Sequence, residues 1–200
     1  MKVLTFAATN SRQSINKQLV KYAASKLPNA DIDYVEINDF DLPIYSIDLE
    51  ALYGIPHCAH AFQRRIEQAD AILISFAEHN GNYTAAYKNL FDWLSRIDRN
   101  VFRGKPIVML ATSPGPGGAK NVLKLAEASA PHFDGKVVGT LSIPSFNDTF
   151  DAERGQLIDR VWIEKLERTL AVLEGKPTLI SGKLSSLFRC YSQGRCGACE

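Results

Sequence analysis

The sequence predicts an α/β fold in which a five-stranded parallel sheet carries helices on both faces. Five short apolar segments alternate along the chain with five segments of helical periodicity, and this alternation is typical of parallel sheets. Several of the apolar segments are nearly continuous, which indicates strands buried on both sides. With 46% hydrophobic residues among 200, the chain can build the sizeable core that one such domain needs.

The five predicted strands lie at 3–7, 32–37, 71–76, 105–111 and 136–143. The first and the fourth are apolar runs with little polar alternation, and residues 71–76 have the strongest strand pattern of the chain. Neither an internal repeat nor a second set of strands is found. The lengths therefore favour a single sheet of strand order 2-1-3-4-5 over a dinucleotide-binding fold made of two halves.

The five predicted helices lie at 14–27, 56–68, 84–97, 119–130 and 151–173. Ser14 is a suitable N-cap for the first helix, and Pro28 and Asn29 end it. The last helix is amphipathic. Its inner face is expected to carry Ile158, Trp162, Leu166, Leu170 and Leu173. Residues 38–53 contain Pro43 and show no firm period, which predicts a long connection before the second helix.

Charge and composition exclude several classes of protein. The chain has 23 basic and 22 acidic side chains, a net charge of +1, so no overall field attracts it to nucleic acid or acidic lipid. The longest apolar stretch, 71–77, is interrupted by Ser75 and is far shorter than the roughly 18 residues of a membrane span. A signal-peptide pattern is absent, and four cysteines do not make a disulfide framework. We therefore expect a soluble, cytoplasmic protein without nucleic-acid or membrane partners.

Three loops are the expected place for a ligand, since open parallel sheets bind ligands beyond the carboxyl ends of their strands, where the strand order reverses. These loops follow strands one, three and four, at 9–14, 77–84 and 112–118. The first packs hydroxyl and amide side chains and Arg12 before a helix start, a pattern that favours a phosphate. An ordinary polar turn with an N-cap is the alternative.

The other two loops favour a flat heterocycle held close to the backbone. Asn80 and Gly81 allow a tight turn with exposed amides, although Asn-Gly turns are also common without a ligand. The loop at 112–118 has three glycines and two prolines, which leaves little side-chain bulk. Lys120 stands where a G-x-G-x-x-G motif would end, and there is no P-loop. Residues 57–60 carry two histidines and a cysteine, but no second half of a metal site is evident.

Three parts of the sequence carry a more specific signal. They are Ala8-Thr9-Asn10-Ser11-Arg12-Gln13-Ser14-Ile15-Asn16, then Glu78-His79-Asn80-Gly81-Asn82 followed by Lys88-Asn89-Leu90-Phe91-Asp92-Trp93-Leu94-Ser95-Arg96, and Ser113-Pro114-Gly115-Pro116-Gly117-Gly118. Over about residues 2–170 the chain resembles the NADPH-dependent FMN reductases, a flavodoxin-like family that includes chromate, quinone and azo-dye reductases. The stretch at 88–96 matches the family motif K-N-x-x-D-W-x-S-R almost completely. In the first part, Ser11 stands at the usual arginine position of the family, and Arg12 follows it.

The resemblance implies a flavodoxin-like three-layer fold and a site for FMN. The cofactor-binding residues that it implies in the first loop, around the FMN phosphate, are Thr9, Ser11, Arg12, Ser14, Ile15 and Asn16. Those along the isoalloxazine ring are Glu78, His79, Asn80, Gly81 and Asn82. Those at the other edge of the ring are Ser113, Pro114, Gly115 and Gly118. Neither a catalytic side chain nor a metal ligand is expected, because the flavin carries out the chemistry.

The implied function is that of an FMN-dependent NAD(P)H oxidoreductase that passes electrons to free flavin, a quinone, a metal oxyanion or an azo dye. NADPH and NADH both stay open as donors, since no second basic cluster is clearly placed for a 2′-phosphate. The alternatives are a flavin electron carrier without enzymatic activity and a flavin-binding sensor. Carriers tend to be strongly acidic for docking, so the net charge of +1 and the stretch at 88–96 disfavour a carrier.

One helix suggests how copies of the chain associate. Phe91 and Trp93 are close neighbours on the predicted helix at 84–97 and cannot both lie at the centre of one apolar stripe. One of the two rings is therefore expected to face outward, where a large exposed aromatic favours an interface. The resembling family also forms dimers through helices beside the flavin. A homodimer or homotetramer is expected.

The end of the chain is not needed for five strands. Residues 1–174 are expected to form the reductase domain and residues 175–200 a C-terminal extension. Cys190, Cys196 and Cys199 could form a redox or zinc element, but three cysteines leave a tetrahedral zinc site one ligand short. A flexible arm with incidental thiols is the favoured interpretation.

Overall fold

Five parallel strands form one sheet in the order β2-β1-β3-β4-β5 in the computed structural model, which describes residues 1–174. The strands are β1 (Lys2–Ala8), β2 (Asp31–Tyr34), β3 (Ala71–Phe76), β4 (Pro106–Thr112) and β5 (Lys136–Ile143). The predicted fold class and strand order are therefore confirmed. The register places Ala8 beside Phe76 and Phe76 beside Ala111, so β1, β3 and β4 end at the same level of the sheet.

Helices cover both faces of the sheet. Those that the structure describes are α1 (Ile15–Ser25), α2 (Ile47–Tyr53), α3 (His57–Gln68), α4 (Ala85–Ile97), α5 (Lys120–Ser129), α6 (Phe146–Thr149) and α7 (Arg160–Ala171). Successive strand side chains point to opposite faces. In β3, Ile72 and Ile74 pack with side chains of α3, α4 and α5, while Ala71 and Leu73 pack with those of α1 and α7. Because both faces are covered, the central strands are apolar throughout.

The segment predicted as a long connection contains a helix. Within 38–53, α2 begins after Ser46, whose hydroxyl accepts from the Leu49 N–H at 3.1 Å, and it ends at Gly54 with a φ of +72°. No residue of α2 is buried, and its seven residues are too few to establish a helical period in the sequence. The prediction of an irregular connection over these residues is wrong.

The last helix is shorter than predicted. α7 begins at Arg160, after the cap residue Asp159. Before it, β6 (Phe150–Asp151) and β7 (Gln156–Leu157) form an antiparallel hairpin. Because of this hairpin, Ile158 is exposed rather than on the inner face. Of the other predicted inner residues, Trp162 is half-buried, and Leu166, Leu170 and Leu173 are buried.

Residues 175–200 lie outside the described residues, and so do the predictions about Cys190, Cys196 and Cys199. In residues 1–174, no helix has the length and the apolar character that a membrane crossing requires. That same part of the chain contains no cluster of three or more histidine, cysteine, aspartate or glutamate side chains suited to hold a metal ion.

Candidate functional site

Asn16 joins the start of α1 to the ends of β3 and β4. Its Nδ2 donates to the Thr112 carbonyl at 3.1 Å, and its Oδ1 accepts from the Thr112 N–H at 3.1 Å and from the Ser75 hydroxyl at 2.8 Å. All three residues are at most 2% exposed. A primary amide has four hydrogen-bonding positions, and three of them are used here. The side chain therefore holds the loop after β1 against its two neighbouring strands.

The loop after β1 presents free backbone donors. Thr9 is buried and its Oγ1 accepts from the Ser11 N–H at 3.1 Å, whereas Ser11 and Arg12 are exposed. Ser14 caps α1, as predicted. Within the described part of the chain, the N–H groups of residues 12–15 have no hydrogen-bond acceptor. Four successive free donors at the start of an eleven-residue helix, beside an exposed guanidinium, suit an anion such as a phosphate.

Residues 79–82 form a tight hairpin turn. His79 and Asn82 exchange two backbone hydrogen bonds of 3.0 Å, and Asn80 and Gly81 have φ angles of +51° and +77°. Two successive left-handed residues are typical of a type I′ turn, for which Asn-Gly is favoured. All four residues are exposed, so the turn is accessible to a ligand at the carboxyl end of β3.

Glu78 fastens this turn to α5. Its Oε2 accepts from the backbone N–H groups of Asn121 at 3.0 Å and of Val122 at 2.9 Å, and its Oε1 accepts from Asn121 Nδ2 at 3.3 Å. The residue at the N-cap of α5 is Ala119, which has no side chain that can accept a hydrogen bond. Glu78 therefore acts as a cap supplied from another loop, and its carboxylate lies at the positive end of the helix dipole.

The glycine-rich loop after β4 is held from one side and open on the other. Two N–H groups of the segment after β5 donate to the carbonyls of Ser113 and Gly115, both at 3.0 Å. Gly118 has a φ of +60°, and a Cβ there would clash with the Ser142 hydroxyl oxygen, so packing requires this glycine. A Cβ at Gly115 or Gly117 would meet nothing within 4 Å. At these two positions a flat ligand can approach the backbone closely.

The predicted site residues all lie at the carboxyl edge of the sheet, but they differ in accessibility. The exposed ones are Ser11, Arg12, His79, Asn80, Gly81, Asn82 and Pro114. The half-buried ones are Ile15, Glu78, Ser113 and Gly115. The buried ones are Thr9, Ser14, Asn16 and Gly118. Contact with a ligand is therefore open to the exposed group, whereas Asn16, Glu78 and Gly118 hold the loops in place.

The segment before α2 is fastened to α4 by residues of the 88–96 stretch. Asn89 Oδ1 accepts from the Tyr45 N–H at 2.8 Å, and Asn89 Nδ2 donates to the Pro43 carbonyl at 3.0 Å. Trp93 Nε1 donates to the same carbonyl at 2.8 Å, and its ring meets that of Tyr45 edge-on with centroids 5.0 Å apart. The most specific motif of the sequence therefore holds an irregular segment in place.

Arg96 extends this attachment to α2. Its Nε donates to both carboxylate oxygens of Glu50, at 2.9 and 3.1 Å, and the Tyr45 hydroxyl donates to Glu50 at 3.1 Å. The hydrogen bond from Arg96 lowers the pKa of Glu50. Loss of hydration, followed by the hydrogen bond to Glu50, raises the pKa of Tyr45. Within residues 44–53, which include α2, four large apolar side chains are 70–84% exposed, namely Ile44, Ile47, Leu52 and Tyr53.

Neither Phe91 nor Trp93 faces outward, although one of the two was predicted to do so. Trp93 is 1% exposed because the segment before α2 covers it. Phe91 is half-buried, and its ring meets those of Phe102 and Phe133 with centroids 5.6 and 4.7 Å apart. The prediction of an exposed ring is wrong, because α4 has packing partners on both flanks. The predicted assembly therefore loses this support and stays a prediction.

Comparison with known proteins identifies the family. Residues 1–148 match the sequence model of the NADPH-dependent FMN reductases. The chain belongs to this family. It is 31% identical to an NADPH:quinone oxidoreductase of Arabidopsis thaliana over 178 residues, a match that covers 88% of this chain and 89% of that protein. It is 27% identical over 180 residues to a quinone reductase of Escherichia coli (strain K12), covering 83% of this chain and 89% of that protein.

A solved structure extends the likeness to three dimensions. The flavoenzyme NAD(P)H:(acceptor) oxidoreductase of Paracoccus denitrificans superposes with a TM-score of 0.69 and 25% identity, covering 86% of this chain and 93% of that one. The chain is thus an enzyme of the FMN reductase family. The prediction of an NAD(P)H-dependent oxidoreductase, rather than a carrier or a sensor, is confirmed.

Sequence reasoning assigned Glu78 to the flavin ring and did not foresee its contact with α5. A signal was present, since Ala119 leaves α5 without a capping side chain. Ser75 and Thr112, which hold Asn16, were also not identified. Their positions at the ends of two neighbouring strands are visible in the sequence, but the side chain that reaches them starts from a third element.

Proposed function

We propose that the chain binds FMN along the three loops and uses it to pass electrons from NADPH or NADH to a small acceptor. The three loops would hold FMN, which would supply the hydride and electron transfer chemistry between the nicotinamide and the acceptor. Quinones are the first candidates for the acceptor, because two of the relatives are named as quinone reductases. The row of free N–H groups at 12–15 beside Arg12 carries this proposal, since it has the chemistry of a phosphate site.

Each loop has its own proposed task. Ser11 and Arg12 bind the phosphate with their side chains, Ser14 binds it through its free backbone N–H, and Thr9, Ile15 and Asn16 keep that loop in shape. The turn at 79–82 would line one edge of the isoalloxazine ring. Its backbone N–H donors would stabilise negative charge on that edge of the ring. The open backbone at Gly115 and Gly117 lets the ring approach from the other edge, while Glu78 and Gly118 fix the two loops around it.

We also propose that the chain forms a homodimer or homotetramer. The exposed apolar side chains of residues 44–53 support this, because several large exposed apolar side chains close together in the chain favour contacts with other molecules. Light scattering at micromolar concentration checks it, and the mass of a single chain would contradict it.

We further propose that the chain divides into a reductase domain, 1–174, and an extension, 175–200. The cytoplasmic location stays a prediction.

The decisive experiment measures flavin binding and nicotinamide oxidation separately. The full chain is titrated with FMN, and the flavin absorption is then followed after anaerobic addition of NADPH or NADH. Bleaching by either nicotinamide, and continuous oxidation of it once 1,4-benzoquinone is added, is the expected result. A chain that binds no FMN would contradict the proposed site. Bleaching without turnover in the presence of quinone would contradict the proposed acceptor.

A charge-removal pair tests the phosphate end. Arg12→Gln is expected to weaken FMN binding about tenfold, since a charge-assisted hydrogen bond contributes about 1.5–3 kcal/mol and about 1.4 kcal/mol is tenfold in affinity. Arg64→Gln is the matched control, because Arg64 is exposed on α3 and belongs to none of the three loops. Equal FMN affinities of the two variants would exclude Arg12 from the phosphate site.

A further inference from the structure

An aromatic cavity lies between α4 and α5. Its volume is about 160 Å³, and its wall is formed mainly by six rings. They belong to Phe76, Tyr83, Tyr87, Phe91, Phe102 and Phe133. An apolar cavity of about 150 Å³ is large enough to bind benzene. The cavity therefore has room for a single aromatic ring, and its wall offers the edge-on and offset contacts that such a ring prefers.

One polar atom in this wall has no partner. The Tyr83 hydroxyl pairs with the Ser129 hydroxyl at 3.0 Å, but among the described residues the Tyr87 hydroxyl makes no hydrogen bond, although Tyr87 is only 4% exposed. Among the described residues, the buried side-chain oxygens without a partner are those of Gln18 and Gln63, so the Tyr87 hydroxyl is reached by solvent and can donate to an acceptor of a ligand in the cavity. Burial raises the pKa of Tyr87 well above 10. The hydroxyl is consequently a hydrogen-bond donor throughout the physiological pH range.

The mouth of the cavity carries no excess charge. Lys88 and Asp92 line it, and they pair with each other at 2.6 Å. The remaining lining is apolar or hydroxylic, so a charged ligand would lose hydration without gaining a counter-charge. These surroundings select a neutral ligand.

We propose that this cavity binds a neutral compound with one aromatic ring and one hydrogen-bond acceptor, such as a carbonyl oxygen, that pairs with the Tyr87 hydroxyl. None of the residues assigned to FMN lines the cavity, so the proposal goes beyond the proposed function. Tyr83, however, directly follows the turn at 79–82. Two sources share the ligand chemistry, namely a reducible acceptor and a non-reducible effector.

Two probes of the same shape test the hydrogen bond. Acetophenone has the ring and a carbonyl, and α-methylstyrene replaces that carbonyl oxygen by a methylene group. Binding of each probe to the FMN-saturated full chain is followed by amide chemical shifts. Tyr87→Phe is expected to weaken acetophenone binding about tenfold, by the cost of an unpaired carbonyl, and to leave α-methylstyrene binding unchanged. Tyr53→Phe is the matched control, since Tyr53 is 82% exposed, and it should change neither affinity.

A second variant closes the cavity without touching the hydroxyl. Ser95 is half-buried and lines the cavity from α4, so Ser95→Phe is expected to abolish binding of both probes. Thermal unfolding and FMN affinity are recorded for every variant. FMN affinity close to that of the unsubstituted chain, together with loss of acetophenone, separates this site from the proposed flavin site.

Several results would overturn the proposal. They are absence of saturable binding of acetophenone, shifts confined to residues away from α4 and α5, and an equal loss of both probes in Tyr87→Phe. Acetophenone affinity that falls as protein concentration rises would show instead that a second copy of the chain fills the cavity. If binding is as proposed, steady-state inhibition by acetophenone distinguishes the two kinds of natural ligand. Competition with the quinone indicates that the cavity binds a reducible acceptor, and inhibition without competition indicates an effector.

Discussion

Replacing Asn16 by alanine should loosen the edge of the sheet on which the loops stand. The amide side chain makes three hydrogen bonds, two to the backbone of Thr112 and one to the Ser75 hydroxyl. Thr112 is 1% exposed and Ser75 is not exposed at all. Removal of the amide therefore leaves three polar groups without partners in a place that bulk water does not reach.

The structure sets the size of the effect. A buried polar group that loses its partner costs about 1–3 kcal/mol. The Ser75 hydroxyl can rotate toward another acceptor, and a water molecule can enter the space that the side chain vacates. We therefore expect Asn16→Ala to lower the free energy of unfolding by about 2–4 kcal/mol rather than by the full cost of three groups. FMN affinity should fall as well, because the free donors at 12–15 lose their fixed position.

Urea unfolding of the flavin-free chain measures the effect, with Asn147→Ala as the matched control. Asn147 is exposed, so its variant should stay within about 0.5 kcal/mol of the unsubstituted protein. Ser75→Ala and the double variant complete a cycle, in which we expect a coupling energy of about 1 kcal/mol between the two side chains. If Asn16→Ala is no more destabilising than Asn147→Ala, Asn16 does not hold the three elements together.

Three further outcomes follow from the structure. Glu78→Ala should lower the free energy of unfolding by about 1–2 kcal/mol, because α5 loses its cap. Glu127→Ala, an exposed substitution on the same helix, should lower it by less than about 0.5 kcal/mol. Equal urea midpoints of the two variants would show that Glu78 does not cap α5. Ser14→Ala should weaken FMN binding and keep most of the turnover at saturating FMN, and a rate that excess FMN does not restore would contradict a role at the phosphate. Burial, and secondarily Glu36, raises the pKa of Tyr34 to about 12, so the unfolded chain ionises first and the free energy of unfolding falls between about pH 10 and 12. In Tyr34→Phe this fall should be smaller, and an unchanged pH profile would show that the phenol ionises normally.

Sequence reasoning succeeded where strand-favouring residues follow one another without interruption, both in the buried strand β3 and in β5 at the edge of the sheet. Residues 71–76 and 136–143 are predicted with the bounds that β3 and β5 have. It failed where an element buries nothing or depends on a local turn. α2 has no buried residue, and the hairpin at 150–157 has strands of two residues each, so neither element produces a hydrophobic period.

In the candidate site, the sequence likewise predicts some features and not others. The position of its loops follows from strand order, which the alternation of elements indicates. The contacts between the loops do not follow from it, because Asn16 and Thr112 are 96 residues apart and Glu78 and Asn121 are 43 apart. Asn16 was assigned to the phosphate by its motif, and the structure shows that most of its hydrogen bonds go to the neighbouring strands instead.

The 88–96 stretch illustrates why a motif can be specific without a catalytic residue in it. Asn89, Trp93 and Arg96 lie on one flank of α4 and fasten the segment before α2 and α2 itself. Lys88 and Asp92 lie on the other flank, at the mouth of the aromatic cavity. A helix that meets different partners on two flanks restricts more of its positions than a helix with a single apolar stripe. The residue types of this motif are therefore restricted by packing and hydrogen bonding. A substitution on one flank should displace the segment before α2, and a substitution on the other should change the shape of the aromatic cavity, before either affects electron transfer.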